Sequence, residues 1–189
     1  EAFAQHVVIL GLNTGYPTKP FVARGQIPQQ QLDHAKRLLT DTLNEIEQKE
    51  QQRGGEQREE NGSQKKKIFK LIMMHHPPLN RYTDSAYHAY MHGLRTDDMT
   101  RIQQFCQEHE IDMVLNGHTH HNYSGWLPAL NSCGSEEGEG AQDLCSGTTR
   151  NFDSGSGTHY DEKKNRSPRF NIYEIRDAQL VRNDVIILQ

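Results

Sequence analysis

Apolar residues are in short supply. They make up 33% of the 189 residues, low for a globular chain of this size. The deficit falls in a few polar stretches, which leaves the remainder able to build a core. No apolar run approaches the roughly 18–20 residues that cross a bilayer, and no signal-peptide pattern is present, so the expectation is a cytoplasmic chain without a membrane span. Cysteine is scarce: Cys106, Cys133 and Cys145, an odd number without regular spacing, do not make a secreted disulfide framework. Cys133 and Cys145 remain able to pair across a short loop. The absence of any C-x-x-C removes a thiolate zinc site. A basic excess is missing too. The formal net charge of −4 speaks against a surface that neutralises nucleic-acid phosphates over a broad area. Small anionic substrates stay open if a metal or a local basic pocket supplies positive charge.

What is there begins with HVVILGL, residues 6–12, an apolar run that ends in turn-like residues 13–16 and reads as a buried strand. After a turn at 25–28, Pro28 suits the first position of a helix. Leu32, Ala35, Leu39, Leu43 and Ile46 then recur at spacings of three and four, the apolar face of a helix running to about Glu47. Residues 48–67, QKEQQRGGEQREENGSQKKK, contain no apolar side chain and read as a surface loop or insertion. IFKLIMM, 68–74, is a second strand, which the proline pair of His75-His76-Pro77-Pro78 must end. Residues 96–110 read as a helix with Thr96 as N-cap, and Asp97 and Asp98 suit its positive end. IDMVL, 111–115, is a third short strand, and it runs into Asn116-Gly117-His118-Thr119-His120-His121. Further polar segments are expected at 131–143 and 153–167, and strands at 170–175 and 180–188.

Strand, helix and strand thus alternate, with a histidine cluster just after each of two strands. Sites in open α/β sheets gather beyond the carboxyl ends of strands, so adjacent strands would bring the two clusters together. Imidazole is a common ligand for zinc, iron and related ions. Gly117 permits a tight turn close to such a site. His118 and His120, separated by one residue, can point toward two neighbouring metals. For any one histidine the plainer reading is a hydrogen-bonded surface or core residue, but that reading does not explain two motifs at matching strand ends. His76 and His121 rank second: His76 as a residue that shapes the turn, His121 as an exposed one. His88 and His92, four apart, would share a helix face, yet no Glu follows in the H-E-x-x-H manner and the plainer reading is a segment lining the pocket. Arg81, Tyr82 and Arg95 lie close enough in sequence to touch substrate oxygens. Lys65–Lys67 reads as a solvated charge run.

HHPP followed by GLRTDDMTRIQQFCQEHEIDMVLNGHTH resembles the C-terminal motif block of the calcineurin-like metallophosphoesterases. The resemblance covers most of the chain outside the polar insertions, and CSGTT followed by FNIYEI resembles that family's late strands. It implies a mixed α/β sheet sandwich flanked by helices and hydrolysis of a phosphate ester at a dinuclear centre of divalent metal ions (Mn, Fe, Zn or Mg). It also implies that His75 and His118 ligate one metal and His120 the other. The family's D-x-H, G-D-x-x-D and G-N-H-[DE] motifs do not occur here. The expectation is therefore a C-terminal portion of a single domain, with little or no activity of its own. The alternative is a non-catalytic module that keeps the fold and binds a metal or a partner.

Overall fold

The computed structural model describes residues 6–53, 68–80, 86–119, 122–129, 146–154 and 169–187. Strand β1, His6–Leu12, leads into helix α1, Gln29–Arg53, and then into β2, Ile68–Met74. Helices α2, Ala86–His92, and α3, Thr96–Glu108, precede β3, Met113–Asn116. Four further strands follow: β4, Asn122–Pro128; β5, Ser146–Ser154; β6, Arg169–Arg176; and β7, Gln179–Ile187. The first five strands form one sheet in the order β1-β2-β3-β5-β4. The pairs β1–β2, β2–β3 and β3–β5 are parallel, and β4 is antiparallel to β5. Parallel neighbours need long crossovers: α1 links β1 to β2, α2 with α3 link β2 to β3, and β3 reaches β5 by way of β4.

Side chains alternate across a sheet, and here each face has its own core. On one face Val8, Leu12, Ile72, Met74 and Val114 pack against Leu32, Ala35 and Leu39 of α1 and Ile102, Phe105 and Cys106 of α3. On the other, Phe69, Leu71, Met113 and Phe152 meet Tyr173, Ile175, Ala178 and Leu180 of the β6–β7 hairpin. The result is the expected α/β layering, a mostly parallel sheet with helices against it. Full burial of a Leu such as Leu39, 1% exposed, stabilises by about 1.5–3 kcal/mol.

Several expected boundaries move. Helix α1 does not stop near Glu47 but runs through Arg53, which takes 48–53 out of the expected loop. Leu43 and Ile46 still lie against the core. One turn further, Glu50 Oε1 meets His6 Nε2 of β1 at 3.0 Å, so a polar turn is held by a hydrogen bond that apolar periodicity does not reveal. The expected loop from Asp153 begins inside β5, which continues to Ser154. The N-cap of α3 is Arg95 rather than Thr96, with no side-chain cap bond. Helix α3 closes in a Schellman arrangement: Ile111 N–H donates to Cys106 O at 2.9 Å and Glu110 N–H to Gln107 O at 3.3 Å. Among the described residues no helix is long and apolar enough to cross a membrane.

Candidate metal centre

The carboxyl ends of β1, β2, β3 and β5 lie at one end of the sheet, because these strands run parallel. His75 follows β2 directly and His118 follows β3 by one glycine. Backbone bonds join the two segments: Gly117 N–H and His118 N–H both donate to His75 O, at 3.2 and 3.1 Å. The imidazoles therefore meet. His118 Nδ1 stands 2.8 Å from His75 Nε2, and the ring centroids are 4.7 Å apart. His76 completes a group whose ligand-capable atoms all lie within 4.8 Å of one another.

His76 differs from its two neighbours. It is 4% exposed, and both ring nitrogens are engaged inside the protein. Nε2 lies 2.9 Å from Ala23 O, which can only accept, so Nε2 carries the proton. Nδ1, 2.8 Å from Thr14 Oγ1, then accepts from the hydroxyl. The same oxygen accepts the His76 backbone N–H at 3.2 Å. Burial lowers the His76 pKa below its usual value, the Ala23 carbonyl works in the opposite direction, and the neighbouring His75 adds to the lowering. His76 is a neutral clamp between the turn after β2 and the loop after β1. Gly25 makes room for it: a Cβ there would stand 2.4 Å from His76 Nδ1. The sequence reading of His76 as a turn-shaping residue agrees with this geometry.

The clamped loop is held from a second direction. Ala23 N–H donates to Met91 O at 2.8 Å and Gly25 N–H to Gly93 O at 3.1 Å. Ile27 N–H donates to Oδ2 of the buried Asp98 at 2.9 Å, and Arg101 pairs with the other carboxylate oxygen. These bonds bring α2 up to the site, with the His92 ring centroid 6.3 Å from that of His118. His88 lies on the same helix. Arg95 lines a recess of about 270 Å³ with Tyr16, Arg24, Thr96 and Asp97, and the Arg24 guanidinium lies over the Tyr90 ring at 4.9 Å. His120, His121, Arg81, Tyr82, Lys65–Lys67, Cys133 and Cys145 fall outside the described residues, as does the segment 131–143.

Asp153 is among the residues around the site that escaped the sequence reading. Asp153 of β5, 0% exposed, accepts a hydrogen bond from Thr119 Oγ1 in the loop that carries His118. It stood at the head of a segment polar enough to pass for a loop, and no local pattern marks it.

The His75–His118 pair can be tested for a metal. Two nitrogens ligating one ion at about 2.1 Å, with an angle near 90–110°, stand about 3.0–3.4 Å apart. The observed 2.8 Å needs only a small opening of the pair. Both rings sit on backbone that is already fixed, and the donor set among the described residues is imidazole alone, which suits zinc or iron better than calcium or magnesium.

With this geometry in view, the family model of the calcineurin-like phosphoesterases matches residues 4–122. That span holds β1 to β3 and both histidine motifs, and it exceeds half of the chain: the chain belongs to this family. Among curated proteins no relative matches it.

Proposed function

We propose that this chain takes part in metal-dependent hydrolysis of a phosphate ester, with His75 and His118 as ligands of one divalent ion and His120 as a ligand of a second. The supporting observation is the approach of His118 Nδ1 to His75 Nε2 at 2.8 Å, at strand ends, in a chain of this family. Bound divalent ions would supply Lewis-acid chemistry toward a phosphoryl group. The protein's own part is positioning. The His75 carbonyl holds the backbone of Gly117 and His118, so the two rings are set before any ligand arrives, and little ordering cost remains to be met on binding. Arg24 and Arg95, which line a common recess, are guanidinium groups able to take anionic oxygens of a substrate.

The all-imidazole donor set among the described residues favours a second reading, a module that holds a metal without turnover. A carboxylate bridge is the usual means of holding two ions a few ångströms apart, and the sequence lacks the family's carboxylate motifs.

One experiment decides between them. The chain is loaded with Zn2+ or Mn2+, its metal content measured by elemental analysis, and hydrolysis of bis(p-nitrophenyl) phosphate followed. His75→Ala, His118→Ala and the double variant are compared. The expected outcome is loss of the same ion in both single variants, no further loss in the double because both empty one position, and weak turnover. Full metal content in His75→Ala or His118→Ala would refute the ligand assignment. Metal binding with no turnover would establish the second reading.

A further inference from the structure

We propose that Asp153 is a positioning residue of the metal centre: its buried carboxylate, by taking the Thr119 hydroxyl, aims the loop that carries His118. The proposal rests on the reading of His75 and His118 as ligands.

Sheet order creates the problem that Asp153 solves. Strand β5 lies between β3 and β4, so the chain leaving β3 must cross over the carboxyl end of β5 to enter β4. The register gives the two footings of this crossing. Asn116 at the end of β3 pairs with Asp153, and Asn122 and Tyr123 at the start of β4 pair with Ser154 and Asp153. Adjacent strands lie about 4.8 Å apart, so the crossing spans about 10 Å. Thr119 lies within this crossing and His118 immediately before it, with Asp153 at the strand end beneath.

A segment crossing a strand end has no ladder bonds of its own. Here it has an anchor on each side of His118. On the β2 side, His75 O accepts the Gly117 and His118 N–H groups at 3.2 and 3.1 Å. On the β5 side, the Thr119 hydroxyl donates to Asp153 Oδ2. Both contacts tether the segment around His118. Removal of either anchor frees the backbone that sets the 2.8 Å approach to His75.

The rival explanation is that Asp153 merely belongs to a polar strip on β5. Thr149, Asn151 and Asp153 share one face and are all buried. Thr149 Oγ1 donates to Ile111 O at 2.7 Å, and Asn116 Nδ2 donates to Asn151 Oδ1 at 2.6 Å. Those two bonds tie β5 to β3 or to the residues entering it. The bond that Asp153 accepts from Thr119 goes instead to the loop beyond the strand end. A buried carboxylate is also costly to keep, and a neutral residue would serve strand pairing equally well.

The test uses Thr119→Val, Thr119→Ser and Asp153→Ala in the 189-residue chain. Three quantities are measured: the Zn2+ dissociation constant by competition with a chromogenic chelator, the imidazole signals of His75 and His118 in long-range proton–nitrogen spectra of the metal-free chain, and the melting temperature. Loss of a partner bonded to a ligand itself weakens metal binding by about 10–100-fold; Asp153 acts through the neighbouring Thr119, so Thr119→Val and Asp153→Ala should weaken binding by about 10-fold, the low end of that range, and Thr119→Ser should match wild type. The His118 ring signals should shift in Thr119→Val and return in Thr119→Ser. Thr119→Val decides the matter even where Asp153→Ala does not fold. A wild-type dissociation constant with unshifted His118 signals in Thr119→Val overturns the proposal, and so does a loss in Thr119→Ser as large as that in Thr119→Val. If wild type binds no Zn2+, the metal reading fails, and the metal-free His118 signals still decide whether Asp153 positions the loop.

Discussion

Thr14→Val is the sharpest probe of the clamp that shapes the site. Thr14 is 1% exposed and His76 4%, so neither partner can turn to water for compensation. The Thr14 hydroxyl serves His76 twice: it donates to Nδ1 at 2.8 Å and accepts the backbone N–H at 3.2 Å. Valine keeps the shape and leaves no cavity, so the whole effect comes from two buried groups losing their partner. Each unsatisfied group costs about 1–3 kcal/mol, and the pair should cost about 2–6 kcal/mol. For a chain of this length each kcal/mol lowers Tm by about 2–4 °C, so a drop of about 4–24 °C is expected. Thr14→Ser keeps the hydroxyl and loses one methyl, a cost of about 1 kcal/mol. The assay is thermal unfolding followed by circular dichroism, with chemical denaturation to give the free-energy difference. A Tm for Thr14→Val within about 2 °C of that for Thr14→Ser would refute the reasoning, because the hydroxyl would then carry no more than the methyl.

Three further outcomes are expected. Glu110 holds a φ of 48° at the position after the α3 cap where glycine is favoured, and its 3.7 Å approach to Lys70 is 89% exposed on the Glu side; Glu110→Gly should therefore stabilise by about 0.5–1 kcal/mol, measured by denaturant midpoint, and a loss of stability would show that the ion pair outweighs the backbone strain. Burial pushes the Cys106 thiol up to about 12, so in a Cys133→Ser/Cys145→Ser background a thiol reagent at pH 8 should modify Cys106 only after denaturation; rapid labelling of the native chain would contradict the packing of α3. Burial, and then the charge of Lys36, lowers the His109 pKa from 6.5. The unfolded chain therefore takes up this proton first, so the stability contributed by neutral His109 is full above about pH 6.5 and is lost as pH falls through the lowered value. His109→Phe should lose less stability than wild type between pH 7.5 and pH 5 in denaturant titrations, and an equal loss would assign the effect to other groups.

The parts of the fold that the sequence announces are those where burial and apolar character coincide. Strands β1 and β2 have the expected bounds, since every second residue of an apolar run meets a core on one face or the other. Strands β4 and β5 went unpredicted or were cut short for the opposite reason. The helix-side face of β5 is Thr149, Asn151 and Asp153, buried but polar, so the period-of-two signal that marks a strand is inverted and reads as a loop. Hydrogen-bond partners of these three residues lie far away in sequence: Ile111, Asn116 and Thr119. The last turn of α1 was hidden in the same manner, because its anchor, His6, is 44 residues from Glu50.

The same distinction runs through the site. His75 and His118 were legible because a metal-ligating type of residue recurs immediately after two strands, and strand ends are where parallel sheets converge. Thr14 and Gly25, which seat His76, and Asp153, which takes the Thr119 hydroxyl next to His118, were not legible. Their types are ordinary in loops and turns, and their partners are fixed by sheet order and crossover path rather than by local pattern. The residues that would carry chemistry are therefore announced by their kind and place in the chain, and the residues that aim them only by the closed fold. Variation at Thr14 or Asp153 should accordingly disturb the site while every recognisable motif stays intact.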